Sequence, residues 1–136
     1  MTVDEVRDFI RQNHQGVLAT MRRDGRPQLS PVTVGVDDDG SLIISTRETA
    51  MKTANVRRDP HASVCVFTDR FFGPWVQAEG AATIESLPGA MDGLVRYYRL
   101  VSGEHPDWDD YRAAMVRDRR VLLRVRVERV GPQRQG

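Results

Sequence analysis

The sequence predicts a mainly β protein, a small antiparallel barrel of about six strands with helical insertions. Three observations carry this. Two Asp-Gly turns follow one another, Arg22-Arg23-Asp24-Gly25 and Asp37-Asp38-Asp39-Gly40, each between β-like runs, which is the pattern of an antiparallel meander. Residues 121–130 alternate apolar Leu123, Val125 and Val127 with charged Arg124, Arg126 and Glu128, as a strand with one wet face does. Segments with helical spacing stand before and between the strand-like runs. At 136 residues the chain reads as a single domain, 1–136, long enough to bury a core without staples.

The elements follow in order. Thr2-Val3-Asp4-Glu5 is a capping box, and Val3, Val6, Phe9 and Ile10 then recur on one helical face until about residues 13–16. Strands are expected over 16–21, 27–36 and 41–46. A helix carrying Lys52 comes next, and it ends at Asp59 because Pro60 disfavours helical backbone there. Residues 62–68 form the fourth strand, and 75–87 a long fifth strand bent at Gly80. Helices over 88–101 and 108–116 flank the breaker Ser102-Gly103-Glu104-His105-Pro106. The alternating run closes the fold, and residues 131–136 read as a frayed tail.

Composition excludes several classes. A formal net charge of +1 argues against a broad nucleic-acid footprint, and no helix-turn-helix pattern accompanies it. No apolar run is long enough to span a bilayer, and the charged N-terminus is unlike a signal peptide, so a cytoplasmic protein is expected. The single cysteine, Cys65, lies in a strand-like run and reads as a core thiol. His14, His61 and His105 have no metal-ligand spacing, and the Asp-rich stretch after His105 reads as a helix cap. No nucleophile elbow, dinucleotide fingerprint or phosphate loop is present. If the chain is an enzyme, a cofactor carries the chemistry and no side chain is a catalytic candidate.

Lys52 is the informative residue. It is the single lysine among 20 basic residues, the others all arginine. In such a background a lysine marks a place for a compact ammonium and not a planar guanidinium. It follows Ser45-Thr46-Arg47, the hydroxyl-bearing end of a strand, at the start of a helix. Helix starts offer N–H groups and partial positive charge to anions, so a phosphate site is expected there.

The order of motifs completes the picture. Gly16-Val17-Leu18-Ala19-Thr20, Asp24-Gly25-Arg26-Pro27-Gln28, Ser45-Thr46, Lys52-x-x-Asn55-x-x-Arg58-Asp59-Pro60, Ala78-Glu79-Gly80, the Gly103 to Arg112 stretch and Asp118-Arg119-Arg120-Val121 stand in sequence. Together they resemble the pyridoxamine 5'-phosphate oxidase-like split β-barrel proteins, and within them the flavin/deazaflavin oxidoreductases of actinobacteria that bind coenzyme F420. The resemblance implies a six-stranded antiparallel split β-barrel and a homodimer with cofactor sites at its interface. It implies a cofactor-binding set of Ser30, Pro31, Val32, Ser45, Thr46, Arg47, Met51, Lys52, Asn55, Trp75, Gln77 and Arg120. In that set the phosphate lies against Ser45, Thr46, Lys52 and Asn55, and the ring along Ser30, Pro31 and Val32. Trp75 and Gln77 approach from the partner or the groove wall, and Arg120 reaches the phosphate or tail. Close relatives often have a basic residue where this chain has Ala50, and Arg47 stands in for that charge.

The expected function is an F420-dependent oxidoreductase. Reduced deazaflavin would pass a hydride to a small flat acceptor of quinone, unsaturated carbonyl or tetrapyrrole type. The cofactor's phosphodiester and glutamate tail call for a cationic groove, for which Arg47, Lys52, Arg57 and Arg58 are the candidates. The alternatives are an FMN-binding oxidoreductase of the same fold and a non-catalytic F420 carrier.

Overall fold

The computed structural model describes residues 1–132. Its elements are α1 (Val3–Gln12), β1 (Gln15–Met21), β2 (Pro27–Thr33), β3 (Gly35–Val36), β4 (Leu42–Arg47), α2 (Met51–Arg58), β5 (His61–Phe67), β6 (Trp75–Glu85), α3 (Met91–Ser102), α4 (Trp108–Arg117) and β7 (Arg120–Gly131). The strands form one antiparallel sheet in the order β2-β1-β5-β6-β7-β4-β3.

The sheet has seven strands because the expected second strand is two. At Val34 the backbone N–H donates to the His14 carbonyl at 2.7 Å, and the His14 ring bonds the Val34 carbonyl at 2.8 Å. This double hold turns the chain from the β1 edge towards the β4 edge. β2 and β3 are therefore the two outer edges of the sheet and also neighbours in the chain. The curled sheet is joined across Val34 by covalent chain, while no ladder joins β2 to β4. That gap is the split in the barrel.

The inner faces of the strands close on Leu18, Leu42, Ile44, Val64, Val66, Leu123 and Val125, with Val6 and Ile10 of α1 plugging one end. The capping box of α1 forms as its sequence requires, Thr2 and Glu5 bonding each other's backbone N–H. A second apolar layer lies outside β4 and β7, where Ile43 and Leu122 meet Leu94, Val95, Tyr97 and Tyr111 of α3 and α4. Rings of Tyr98, His105, Trp108 and Tyr111 pack in edge-on and tilted pairs where the two helices meet.

The expected bend at Gly80 is a bulge between Glu79 and Gly80, where a Cβ would overlap the Arg126 carbonyl. Gly131 still pairs with Gln77, so β7 takes the first residue of the expected tail, and 133–136 lie outside the described residues. No helix among the described residues is long and apolar enough to cross a membrane.

Candidate cofactor site

A cavity of about 770 Å³ opens at the split between β2 and β4. One wall is Pro31, Val32 and Thr33 of β2 with Gln15, Gly16 and Val17 of β1. The other is Ser45, Thr46 and Arg47 of β4, with Thr49, Ala50 and Lys52 entering α2. Phe67 lies at the rim, and Tyr97 and Arg120 line the cavity from α3 and β7. The site therefore has an apolar side fit for a flat ring and a cationic, hydroxyl-rich side fit for a phosphate.

The close approach at the β1 wall depends on glycine. A Cβ on Gly16 would stand 2.5 Å from the Cys65 carbonyl oxygen, so only glycine fits between β5 and the cavity. Ala50 is the N-cap of α2 and makes no side-chain capping bond, while the Thr53 hydroxyl donates to the Arg47 carbonyl at 2.6 Å. That bond ties the first turn of α2 to the end of β4 and brings Lys52 beside Arg47.

The electrostatics are one-sided. Among the described residues no aspartate or glutamate lines the cavity. Burial pushes the Lys52 ammonium below the ordinary lysine value, and the Arg120 guanidinium adds to the shift. Arg47 and Arg120 stand opposite each other in the β4–β7 ladder. The Arg120 Nε is buried and has no hydrogen-bond partner among the described residues. Like charges gathered without a counter-ion raise the energy of the empty site and favour an anion in it.

Of the residues expected at the site, Pro31, Val32, Ser45, Thr46, Arg47, Lys52 and Arg120 line this cavity. The structure puts the others elsewhere. Asn55 is 1% exposed, and its amide donates to the Thr20 hydroxyl at 3.1 Å and to Gln28 Oε1 at 2.8 Å. Its oxygen accepts from Arg58, so its polar atoms are spent anchoring α2 to β1 and β2. Met51 points to solvent, 61% exposed. Ser30 lies opposite Leu18, beside but not lining the cavity.

Trp75 and Gln77 are on the outer face of β6. Gln77 is reached from Pro31 by the cross-strand row Pro31–Val17–Cys65–Gln77. Three strand spacings separate the ends of that row, roughly 14 Å. Trp75 pairs with Phe67 at the edge of the cavity, and Gln77 lies two strands from Val17; neither lines the cavity itself.

Two cations expected in the groove are engaged elsewhere. Arg57 pairs with both oxygens of Glu48 and with Ser86, and Arg58 donates to the Met21 carbonyl. Sequence reasoning missed Gln15, Gly16, Val17, Thr33, Thr49, Ala50, Phe67 and Tyr97 as lining residues. No local pattern marks them as one site, because they arrive from β1, β2, β5, α3 and the turn before α2.

The family model for pyridoxamine 5'-phosphate oxidase matches residues 2–134. The chain belongs to that family. Solved structures with the same architecture include a conserved hypothetical protein from Mycobacterium tuberculosis, Rv2991. It is 28% identical, with a TM-score of 0.76 over 96% of this chain and 82% of that one. An F420 reductase is 20% identical, with a TM-score of 0.70 over 91% and 94% of the two chains. A heme binding protein from Mycobacterium smegmatis is 22% identical, with a TM-score of 0.69 over 94% of this chain and 52% of that one. Family membership gives the split-barrel fold its relatives, and the ligand has to be argued from the cavity.

Proposed function

We propose that the cavity holds coenzyme F420 and that the protein is an F420-dependent oxidoreductase acting on a small, flat, electron-poor acceptor. The observation that carries this reading is the group Arg47, Lys52 and Arg120, gathered on one side of a cavity that no carboxylate among the described residues lines. A phosphodiester fits there, with Ser45, Thr46 and Thr49 as hydroxyl donors. The apolar strip of Val17, Pro31, Val32 and Phe67 suits a planar ring. Reduced deazaflavin supplies a hydride when bound. The chain's own residues bind the phosphate, hold the ring against β2 and keep water from its buried face.

FMN is the second reading. A phosphate monoester would also meet Lys52, Arg47 and Arg120, and the cavity chemistry accepts both. We further propose that two copies pair through the outer face of β2, β1, β5 and β6. That face carries Leu29, Pro31, Val17, Ala19 and Cys65 in adjacent rows, and Leu29 is 64% exposed. Phe71 and Phe72, 89% and 92% exposed, stand in the loop beside it. The second copy would bring its own Trp75 and Gln77 towards this cavity.

The deciding experiment is a tryptophan-quenching titration with F420 and, in parallel, FMN. Tight F420 and weak FMN binding support the deazaflavin reading, and the reverse moves the protein to the flavin reading. Binding of neither overturns both. Light scattering tests the dimer, and a monomer that binds cofactor fully would contradict it.

A further inference from the structure

A second cavity, of about 260 Å³, adjoins the first. Gln15, Thr33 and Phe67 line both. Gln15 and Thr33 pair across β1 and β2, and the Gly16–Val66 register carries the same row on to Phe67 of β5. That row is the common wall. Arg47, Lys52 and Arg120 line the first cavity and not the second. The second cavity therefore opens beside the Pro31–Val32 strip, where the ring is proposed to lie, and away from the cationic wall.

The two cavities differ in hydrogen-bonding character. The first offers cations and hydroxyls. The second is lined by Asn13, His14, Gln15 and Asp69, whose donors are engaged within the chain. Asn13 Nδ2 donates to the Phe9 carbonyl at 3.1 Å, His14 Nδ1 to the Val34 carbonyl at 2.8 Å, and Gln15 Nε2 to Asp69 Oδ1 at 3.0 Å. Carbonyls and carboxylates only accept, so these bonds fix how each amide lies and which imidazole nitrogen carries the proton. Left without a partner among the described residues are Asn13 Oδ1, Gln15 Oε1, Asp69 Oδ2 and, in the neutral ring, His14 Nε2. All of these accept.

We propose that this second cavity is the acceptor subsite, and that it selects a flat acceptor whose ring carries N–H donors over one that offers carbonyl oxygens alone. This rests on the cofactor reading, because the subsite is defined by its place beside the ring. A plain quinone or unsaturated carbonyl compound presents only acceptors to a wall of acceptors. An amino group on the same ring gives that wall the donor it lacks, and the Asp69 carboxylate makes the bond charge-assisted. The acceptor would gain a hydride from the reduced deazaflavin and a proton from water, and the deazaflavin, left oxidised, returns a proton to water. The part of Asn13, Gln15 and Asp69 is to choose and orient the acceptor.

The test is binding without turnover. Protein loaded with oxidised F420 is titrated with an aminonaphthoquinone and with the methylnaphthoquinone that bears its group at the same ring carbon. Amino and methyl groups are close in size, so the ratio of dissociation constants reads the donor. The amino compound should bind about fivefold more tightly. Asp69→Ala removes the carboxylate and leaves the Gln15 amide as a free donor, and it should bring the ratio to within about twofold of unity. Glu128→Ala, an exposed carboxylate on β7, is the control and should keep the wild-type ratio. Backbone amide shifts on adding the amino compound should centre on residues 13–15 and 68–69. Equal binding of the two quinones, an unchanged ratio in Asp69→Ala, an equal change in Glu128→Ala or shifts centred elsewhere overturns the subsite while the cofactor reading stands. If FMN loads and F420 does not, the cofactor is corrected, and the same titration on FMN-loaded protein decides the subsite. If neither loads, both readings fall.

Discussion

The two ends of the β4–β7 ladder hold arginines in opposite ways. At one end Arg124, opposite Ile43, is shared among carboxylates: 2.8 Å to Asp37, 2.5 Å to Glu85 and 3.5 Å to Asp39, with the Ser41 hydroxyl at 2.7 Å. Arg96 of α3 meets the same Asp37 at 3.0 Å. Burial pushes the Asp37 carboxyl up, and the hydrogen bonds from Arg96 and Arg124 more than reverse that, leaving it well below the usual carboxylate range. At the other end Arg120, opposite Arg47, lies near Lys52, and no carboxylate among the described residues lines the cavity. Both clusters sit on the same strands. A guanidinium supplied with carboxylates by the chain is part of the frame that docks α3. One left without them is stabilised only by something that binds.

The comparison breaks most visibly at Asp37. Asp37→Asn leaves Arg96 and Arg124 without their shared charge and should cost about 3 kcal/mol of stability in urea unfolding. A loss under about 1 kcal/mol would mean that the network is not holding α3 to the barrel. At the other end, Lys52→Ala should weaken cofactor binding by about 1.5–3 kcal/mol, the scale of a hydrogen bond to a charged group, with no loss of urea stability. An unchanged dissociation constant removes Lys52 from the phosphate. A large loss of stability would make its role that of Asp37.

pH sharpens the same contrast. The folded Asp37 binds its proton less tightly than the unfolded chain does. Its contribution is complete above the ordinary aspartate value of about 4 and is lost as pH falls below that. Urea stability should fall progressively below about pH 4, and less steeply in Asp37→Asn. Lys52 is also depressed, so it penalises the folded state at neutral pH. That penalty lifts as pH rises through the folded value towards the ordinary lysine value of about 10.4. A bound anion should remove the penalty, so a melt in pyrophosphate should gain less at high pH than one without it. The smallest effect is expected at Arg57, which belongs to Glu48 and Ser86. Arg57→Ala should leave the cofactor dissociation constant within about twofold. A larger change would return Arg57 to the site.

What was legible in the sequence was local or periodic. The capping box before Val6, the Asp-Gly turns, the Pro60 stop and the alternation ending at Val130 each depend on near neighbours, and each element lies within a few residues of its expected bounds. Lys52 was legible by rarity, and Ser45, Thr46 and Arg47 by standing at a strand end before a helix. Asn55 misled because three residues along a helix is nearly one turn. That spacing places it near Lys52, but the side of α2 that meets β1 and β2 takes Asn55 and Thr53 into the interior. Arg57 and Arg58 misled because charge in a sequence carries no record of its partner, and theirs lie 9 and 37 residues away.

The sequence by itself determined the strands, their turns and a cationic helix start, because dihedral preference and hydrophobic period act over a few residues. Only the tertiary structure decided that the chain crosses from one sheet edge to the other at Val34 and opens a cavity there. Only it decided which of the described basic residues stay without a carboxylate, and that a tyrosine from α3 reaches the Thr33 carbonyl of β2. Those outcomes depend on contacts between distant segments, and burial alone makes an unpaired charge or an unmet edge costly enough to matter.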